Sequence, residues 1–214
     1  MSTNTTVSII GSGGMAAAIG ALAIKAGHTV EFMTRDPAKA STLAETLGGG
    51  ATTGIFGAAP KGDLVILAVP YSAVLEMVTH YGERMAGKLL VDITNPVAPD
   101  LTRFVTPGNS SGAQEIAKAA PASADIVKAF NTQFSHVLAV GPAEGRPLDV
   151  FLAGDGAPAK ARVSAFVESL GLRPLDVGKL PMARTLEHLC LLSLGLMTHA
   201  VKHTRFAIGV SVFA

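Results

Sequence analysis

Tryptophan is absent from this chain of 214 residues, and cysteine occurs once, as Cys190. A single thiol excludes an intramolecular disulfide and fits a reducing compartment, so a cytoplasmic location is expected. Charged residues are only 15% of the sequence and nearly cancel, 17 Lys and Arg against 16 Asp and Glu. That balance offers no electrostatic case for nucleic acid or an anionic membrane as partner. No apolar run reaches the ~20 residues a bilayer needs. The richest, Leu189 to Met197, is flanked by His188 and His199. The opening MSTNTTVSII has neither a basic n-region nor a long apolar core, so no signal peptide is expected. Low-complexity tracts and internal repeats are missing too.

What is present is largely apolar. Hydrophobic residues are 49% of the chain, which suits a parallel sheet covered by helices on both faces. The length allows one domain, or one with a small appendage. Strand and helix signals alternate, as a Rossmann-type, doubly wound α/β sheet requires. Strand signals fall at Val7 to Ile10, His28 to Met33, Leu64 to Val69, Lys88 to Ile93, Asp125 to Ala129, Asp149 to Ala153 and Arg173 to Val177. Helices are expected from Asp36 to Leu47, Tyr71 to Met85, Ala113 to Ala120, Ala157 to Leu170 and, long and mostly apolar, Leu180 to Phe206. The run from Gly48 to Gly54, GGGATTG, reads as a flexible loop. Residues 1–140 are expected to form the main unit, and 141–214 a small C-terminal part.

The most specific feature is VSIIGSGGMAAAIG, residues 7–20, a strand running into a glycine-rich turn and then a helix. Gly11, Gly13 and Ala16 fit the G-x-G-x-x-G/A pattern: a tight turn, a backbone open to a pyrophosphate, and close helix–strand packing. The amides of Ser12, Gly13, Gly14 and Met15 stand where the helix N-terminus would meet phosphate oxygens. Past the second strand come Thr34, Arg35 and Asp36. A carboxylate at this tip suits a ribose 2′-hydroxyl, whereas an arginine suits a 2′-phosphate. Asp36-Pro37 reads as an N-cap with proline at the first helical position, which turns the carboxylate to the helix. Thr34 and Arg35 then point to NADP(H), and Lys39 reads as a solvated surface lysine, with a second charge toward the phosphate as the alternative.

Ligands of such sheets lie beyond the carboxyl ends of the strands. That rule nominates Ala68, Val69, Pro70, Tyr71 and Ala73 after one strand, Thr94, Asn95 and Pro96 after the next, and Phe130, Asn131 and Thr132 after the strand that holds Lys128. No catalytic acid, base or nucleophile stands out, and no metal site is expected. Cys190 lies within an apolar helix, His199 and His203 read as a solvated or interface pair, and His136 as a loop or capping residue. Lys128 and Asn131 resemble the Lys…Asn pairs of hydroxyacid dehydrogenases only superficially, because Lys128 falls in a strand. Hydride transfer between two stacked rings needs alignment more than a side-chain proton donor.

Taken in order, IIGSGGMAAAIG, Thr34-Arg35, VILAVPYSAV, VDITNP, VKAFNT, FLAGDGAPAK and GLRPLDVGKLPMARTLE span almost the whole chain. In these segments it resembles the NADPH-dependent reductases of the deazaflavin coenzyme F420 and their short dinucleotide-binding relatives. The resemblance implies a Rossmann domain with a small C-terminal part, and a homodimer. It implies NADP over the glycine turn, its 2′-phosphate at Thr34 and Arg35, and its nicotinamide near Asn95-Pro96 and Phe130 to Thr132. The implied co-substrate is a small-molecule electron acceptor, F420 or a flavin, in a pocket closed partly by the C-terminal region. A flavin or ferric reductase, a non-catalytic NADP(H)-binding sensor and a pyrroline-5-carboxylate reductase-like enzyme stay open as alternatives. Too many apolar residues on the C-terminal helix face outward for a single chain to cover them, hence the dimer, and Arg184 and Glu187 are expected to pair near its start.

Overall fold

The computed structural model describes residues 5–141 and 146–213. Its centre is an eight-stranded sheet in the order β3-β2-β1-β4-β5-β6-β7-β8. The strands are β1 (Thr6–Ile10), β2 (Thr29–Thr34), β3 (Ala51–Ile55), β4 (Leu64–Leu67), β5 (Leu89–Asp92), β6 (Asp125–Lys128), β7 (Asp149–Gly154) and β8 (Arg173–Asp176). All neighbouring pairs run parallel except β6 and β7. The order reverses between β1 and β4, and this switch point lies beside the glycine turn. The sheet continues through β7 and β8, and Val150 and Leu152 share one core cluster with Val7 and Ile9.

Alternation along the central strands feeds two cores. Val7, Ile9, Val30, Phe32, Leu64 and Ile66 face α1 (Gly14–Lys25), α2 (Pro37–Leu47) and, further along the sheet, α5 (Ser135–Val140) and α6 (Ala157–Ser169). Ile10, Met33, Val65 and Leu67 face α3 (Tyr71–Tyr81) and α4 (Gly112–Ala119). Each fully buried aliphatic side chain contributes about 1.5–3 kcal/mol, so both faces together hold the layers. Helix α7 (Ala183–Gly195) covers β7 on the α3–α4 side, through Leu186 against Phe151 and Ala153. Gly20 brings α1 onto the sheet: a Cβ there would lie 2.5 Å from the Phe32 ring.

Several elements differ from the sequence expectation. The GGGATTG run is a loop only over its first three glycines, because Ala51–Ile55 pairs with β2 as an edge strand. Its two threonines and partly exposed faces mask the apolar alternation that identifies strands. The helix expected from Tyr71 to Met85 ends at Tyr81, where Gly82 turns with φ +48°, and a short 3-10 turn follows. The long C-terminal helix begins with a 3-10 turn at Leu180, passes through α7 and closes in a π turn at Val201, where Lys202 is left-handed. It therefore stops short of Phe206. Helix α5, after FNTQF, was not foreseen, its six residues being too few for a periodic signal.

Candidate functional site

Strand β1 ends at Ile10, and Gly11 takes φ +134° to turn the chain under the sheet edge. A Cβ on Gly11 would stand 2.1 Å from the carbonyl oxygen of Ala68, so only glycine lets the two strand ends approach. Gly13 is the N-cap of α1 and has no side-chain cap, which leaves the first amides of the helix unsatisfied. Nothing lies within 4 Å of a Cβ built on Gly13, so this backbone faces open space. Gly14 packs close to Ser135 at the start of α5, and Ala16 is fully buried in the helix–sheet contact.

A cleft of about 300 Å³ opens above this turn. Of the predicted residues, Gly11, Ser12, Gly13, Thr34, Arg35, Ala68, Val69, Pro70 and Ala73 line it, joined by Ile10, Met33, Phe56 and Met77. A second cleft of about 500 Å³ adjoins it and shares Thr34, Arg35 and Phe56. Arg35 is exposed at the junction, its guanidinium 5.6 Å from the Phe56 ring centroid and 3.7 Å from Glu76. Asp36 turns away as expected and accepts from the amides of Ala38 and Lys39 at the start of α2. No carboxylate from Asp36 therefore competes at the tip of β2. Phe56 was missed because it follows a strand that the sequence concealed.

The remaining predicted residues gather at the ends of β5 and β6. Asn95 and Asn131 bond reciprocally: the Asn95 amide donates to the Asn131 carbonyl at 2.8 Å, and the Asn131 amide donates to Asn95 Oδ1 at 2.9 Å. Asn131 also donates to the Leu186 carbonyl, 2.9 Å away in α7. Pro96 is buried beside them, and Tyr71 opens α3 on the adjoining strand end. Phe130 is fully buried with φ +60°, a conformation that costs an aromatic residue about 1–3 kcal/mol and recurs at functional sites. Thr94 Oγ1, Asn131 Oδ1 and Thr132 Oγ1 are buried without a hydrogen-bond partner. Both donors of the Asn131 amide being used, its free oxygen is an unmet acceptor. An acceptor and two hydroxyls match a carboxamide, which carries two N–H donors and one carbonyl.

Lys128, set aside in the sequence because it falls in a strand, has partners there that the sequence did not reveal. Its ammonium is wholly buried and donates to Asp92 Oδ2 at 2.8 Å, Glu187 Oε1 at 2.9 Å and the Thr94 carbonyl at 2.5 Å. Burial opposes its charge, but Asp92 and Glu187 outweigh that and raise its pKa. Glu187 also accepts from the Gly112 amide at the start of α4, while its own burial pushes its pKa up. The expected pairing of Arg184 with Glu187 is thus corrected: Glu187 points inward to Lys128, and Arg184 is exposed. A lysine between Val127 and Ala129 in a buried strand was itself a signal, since such a charge demands partners. Burial and the carboxylates of Glu115, Glu187 and Asp92 push the Tyr71 phenol up to about 12, so it stays a neutral donor. Burial pushes the Cys190 thiol up to about 11, which makes it a poor nucleophile.

The histidines His136, His199 and His203 lie elsewhere. His136 lies in the first turn of α5 rather than in a loop; it bonds the Thr204 carbonyl at 2.9 Å, and Phe134 beside it meets Phe206 edge-on, so the C-terminal tail crosses the start of this helix. His199 and His203 are exposed, and no group of three or more His, Cys, Asp or Glu that could hold a metal occurs among the described residues.

A glycine turn at the switch point of a doubly wound sheet, an uncapped helix N-terminus over a cleft and a basic residue at the tip of β2 define a dinucleotide-binding protein of the Rossmann class. Residues 6–96 match the family described as NADP oxidoreductase coenzyme F420-dependent. It is 29% identical to the F420-dependent NADP reductase of Methanocaldococcus jannaschii over 144 residues, 65% of this chain and 64% of that protein. It is also 30% identical to the metalloreductase STEAP3 of Rattus norvegicus over 181 residues, covering 85% of this chain but only 35% of that protein. A crystal structure of a candidate F420-dependent NADP reductase from Arthrobacter sp. FB24 superposes with a TM-score of 0.86 at 26% identity, covering 98% of this chain and all of that one.

Proposed function

We propose that this protein is an NADP(H)-dependent oxidoreductase that passes a hydride to a flavin-like acceptor, the deazaflavin coenzyme F420. The observation that carries the reading is the cleft shared by the glycine turn and Arg35; the unpaired polar atoms at the ends of β5 and β6 support it. On this reading the turn from Gly11 to Met15 holds the pyrophosphate through backbone amides. Thr34 and Arg35 hold the 2′-phosphate, and the Phe56 ring supports the arginine. Thr94, Asn131 and Thr132 hold the nicotinamide carboxamide and so orient the ring. Bound NADPH supplies a hydride from its dihydronicotinamide ring; the acceptor gains the C–H bond and takes its proton from water. On this reading the protein's share is alignment of the two rings. Residues up to about 140 bind the dinucleotide, and the C-terminal part contributes to the acceptor pocket and to a homodimer.

The likeness to a metalloreductase supports a second reading, in which a flavin or a ferric chelate takes the electrons. NADPH oxidation assayed with F420, FMN and ferric citrate separates the two. Turnover fastest with F420 is expected. Turnover with ferric citrate or FMN but not F420 overturns the first reading in favour of the second. Tight NADPH binding without oxidation by any acceptor would leave a sensor.

A further inference from the structure

We propose that Lys128 is a positioning residue that docks α7 onto the nicotinamide end of the site, so that the hydride-transfer geometry exists only when the C-terminal helix is in place. This rests on the oxidoreductase reading above. A buried ion cluster is a poor source of stability, since apolar groups of like volume usually serve as well or better. This one stands where position matters. Thr94 has both backbone polar groups held by it, the amide by Asp92 Oδ1 at 2.8 Å and the carbonyl by Lys128. The unpaired Thr94 hydroxyl is aimed by those two bonds. Two residues after Lys128 comes the left-handed, buried Phe130, and next to it Asn131. The strained turn is therefore pinned on both sides, by Lys128 to Glu187 and by Asn131 to Leu186, and the two anchors are consecutive residues of α7. One helical turn thus holds the ends of both β5 and β6. The 2′-phosphate end, at Arg35 and Phe56, has no part in this network.

The cluster should consequently govern the rate of transfer more than cofactor affinity. Lys128→Met alone leaves two carboxylates buried without a cation and can unfold the chain. The triple variant Asp92→Asn, Lys128→Met, Glu187→Leu removes every charge and keeps the volume, so its fold should survive. Both are compared with wild type for thermal melting, NADPH fluorescence titration, and turnover of NADPH and its 4-deuterated form with F420 and FMN. The expected result for the triple variant is a native-like melt, an NADPH Kd within about threefold of wild type, kcat lower by tenfold or more, and a larger deuterium isotope effect. Unchanged kcat and isotope effect in the folded triple variant overturn the proposal. So does an activity loss matched by lost NADPH binding or by the unfolded fraction. Failure of the underlying reading shows differently, as wild-type protein that does not bind or oxidise NADPH, and the proposal then falls with it.

Discussion

Arg35 lies over the ring of Phe56, guanidinium carbon to ring centroid 5.6 Å, at the junction of two clefts. The ring holds the arginine at the tip of β2, where Asp36 has turned away to cap α2. Arg35→Ala should lower NADPH affinity ten- to a hundredfold, the about 1.5–3 kcal/mol of a charge-assisted contact, and leave NADH affinity nearly unchanged. Fluorescence titration with both cofactors measures this. Equal wild-type affinities, or unchanged NADPH binding in the variant, would remove Arg35 from the phosphate site.

Two neighbouring glycines should fail for different reasons. Gly13→Val places its side chain in open space, so circular dichroism and melting of the free protein should match wild type while NADPH binding is lost. Gly11→Ala meets the Ala68 carbonyl and a φ of +134°, so it should destabilise the free protein itself. If Gly13→Val still binds NADPH normally, the phosphate-loop assignment is wrong.

Thr132→Val removes a buried hydroxyl that has no partner in the protein. The apo protein should gain about 1 kcal/mol, seen as a melting point roughly 2–4 °C higher, because an unsatisfied group is no longer buried. Turnover of NADPH should fall at the same time. A lower melting point with normal turnover would make Thr132 a structural residue.

Stability in acid should depend on Asp149. Burial disfavours its charge, but the Arg173 fork, the Val210 amide and the charges of Arg173 and Arg146 more than offset this and hold its carboxyl below the usual range. With the folded pKa depressed, the contribution is fully present above about pH 4 and is lost as pH falls through the folded value. Because Val210 both donates to Asp149 and accepts from Arg173, the same titration should free the tail. Asp149→Asn should flatten the acid limb of the melting profile and speed proteolysis near Val210 at neutral pH. An acid limb identical to wild type would count against this role.

Leu192 is 54% exposed on α7, and Leu189, Leu191, Leu194 and Met197 keep a smaller part of their surface exposed within one chain. A homodimer through this face would bury them, so light scattering should give twice the chain mass, and Leu192→Glu should give monomer with its fold retained. A wild-type monomer at micromolar concentration would rule that interface out.

Local rules made much of this protein legible in its sequence. Gly11, Gly13 and Ala16 sit in a strand–turn–helix context, Asp36-Pro37 is a cap in sequence as in structure, and the apolar runs of the central strands are long enough to mark a buried sheet. These features depend on residues within a few positions of one another, and that is the range over which propensity and periodicity act. What tertiary structure decided joins distant residues. Phe56 reaches Arg35 because an edge strand pairs with β2, and Glu187 turns from Arg184 to Lys128 across 59 residues. Asn131 meets Asn95 and Leu186 only after the sheet and α7 have packed. A buried charge announces that it needs a partner, but the partner is chosen by which elements the core brings together.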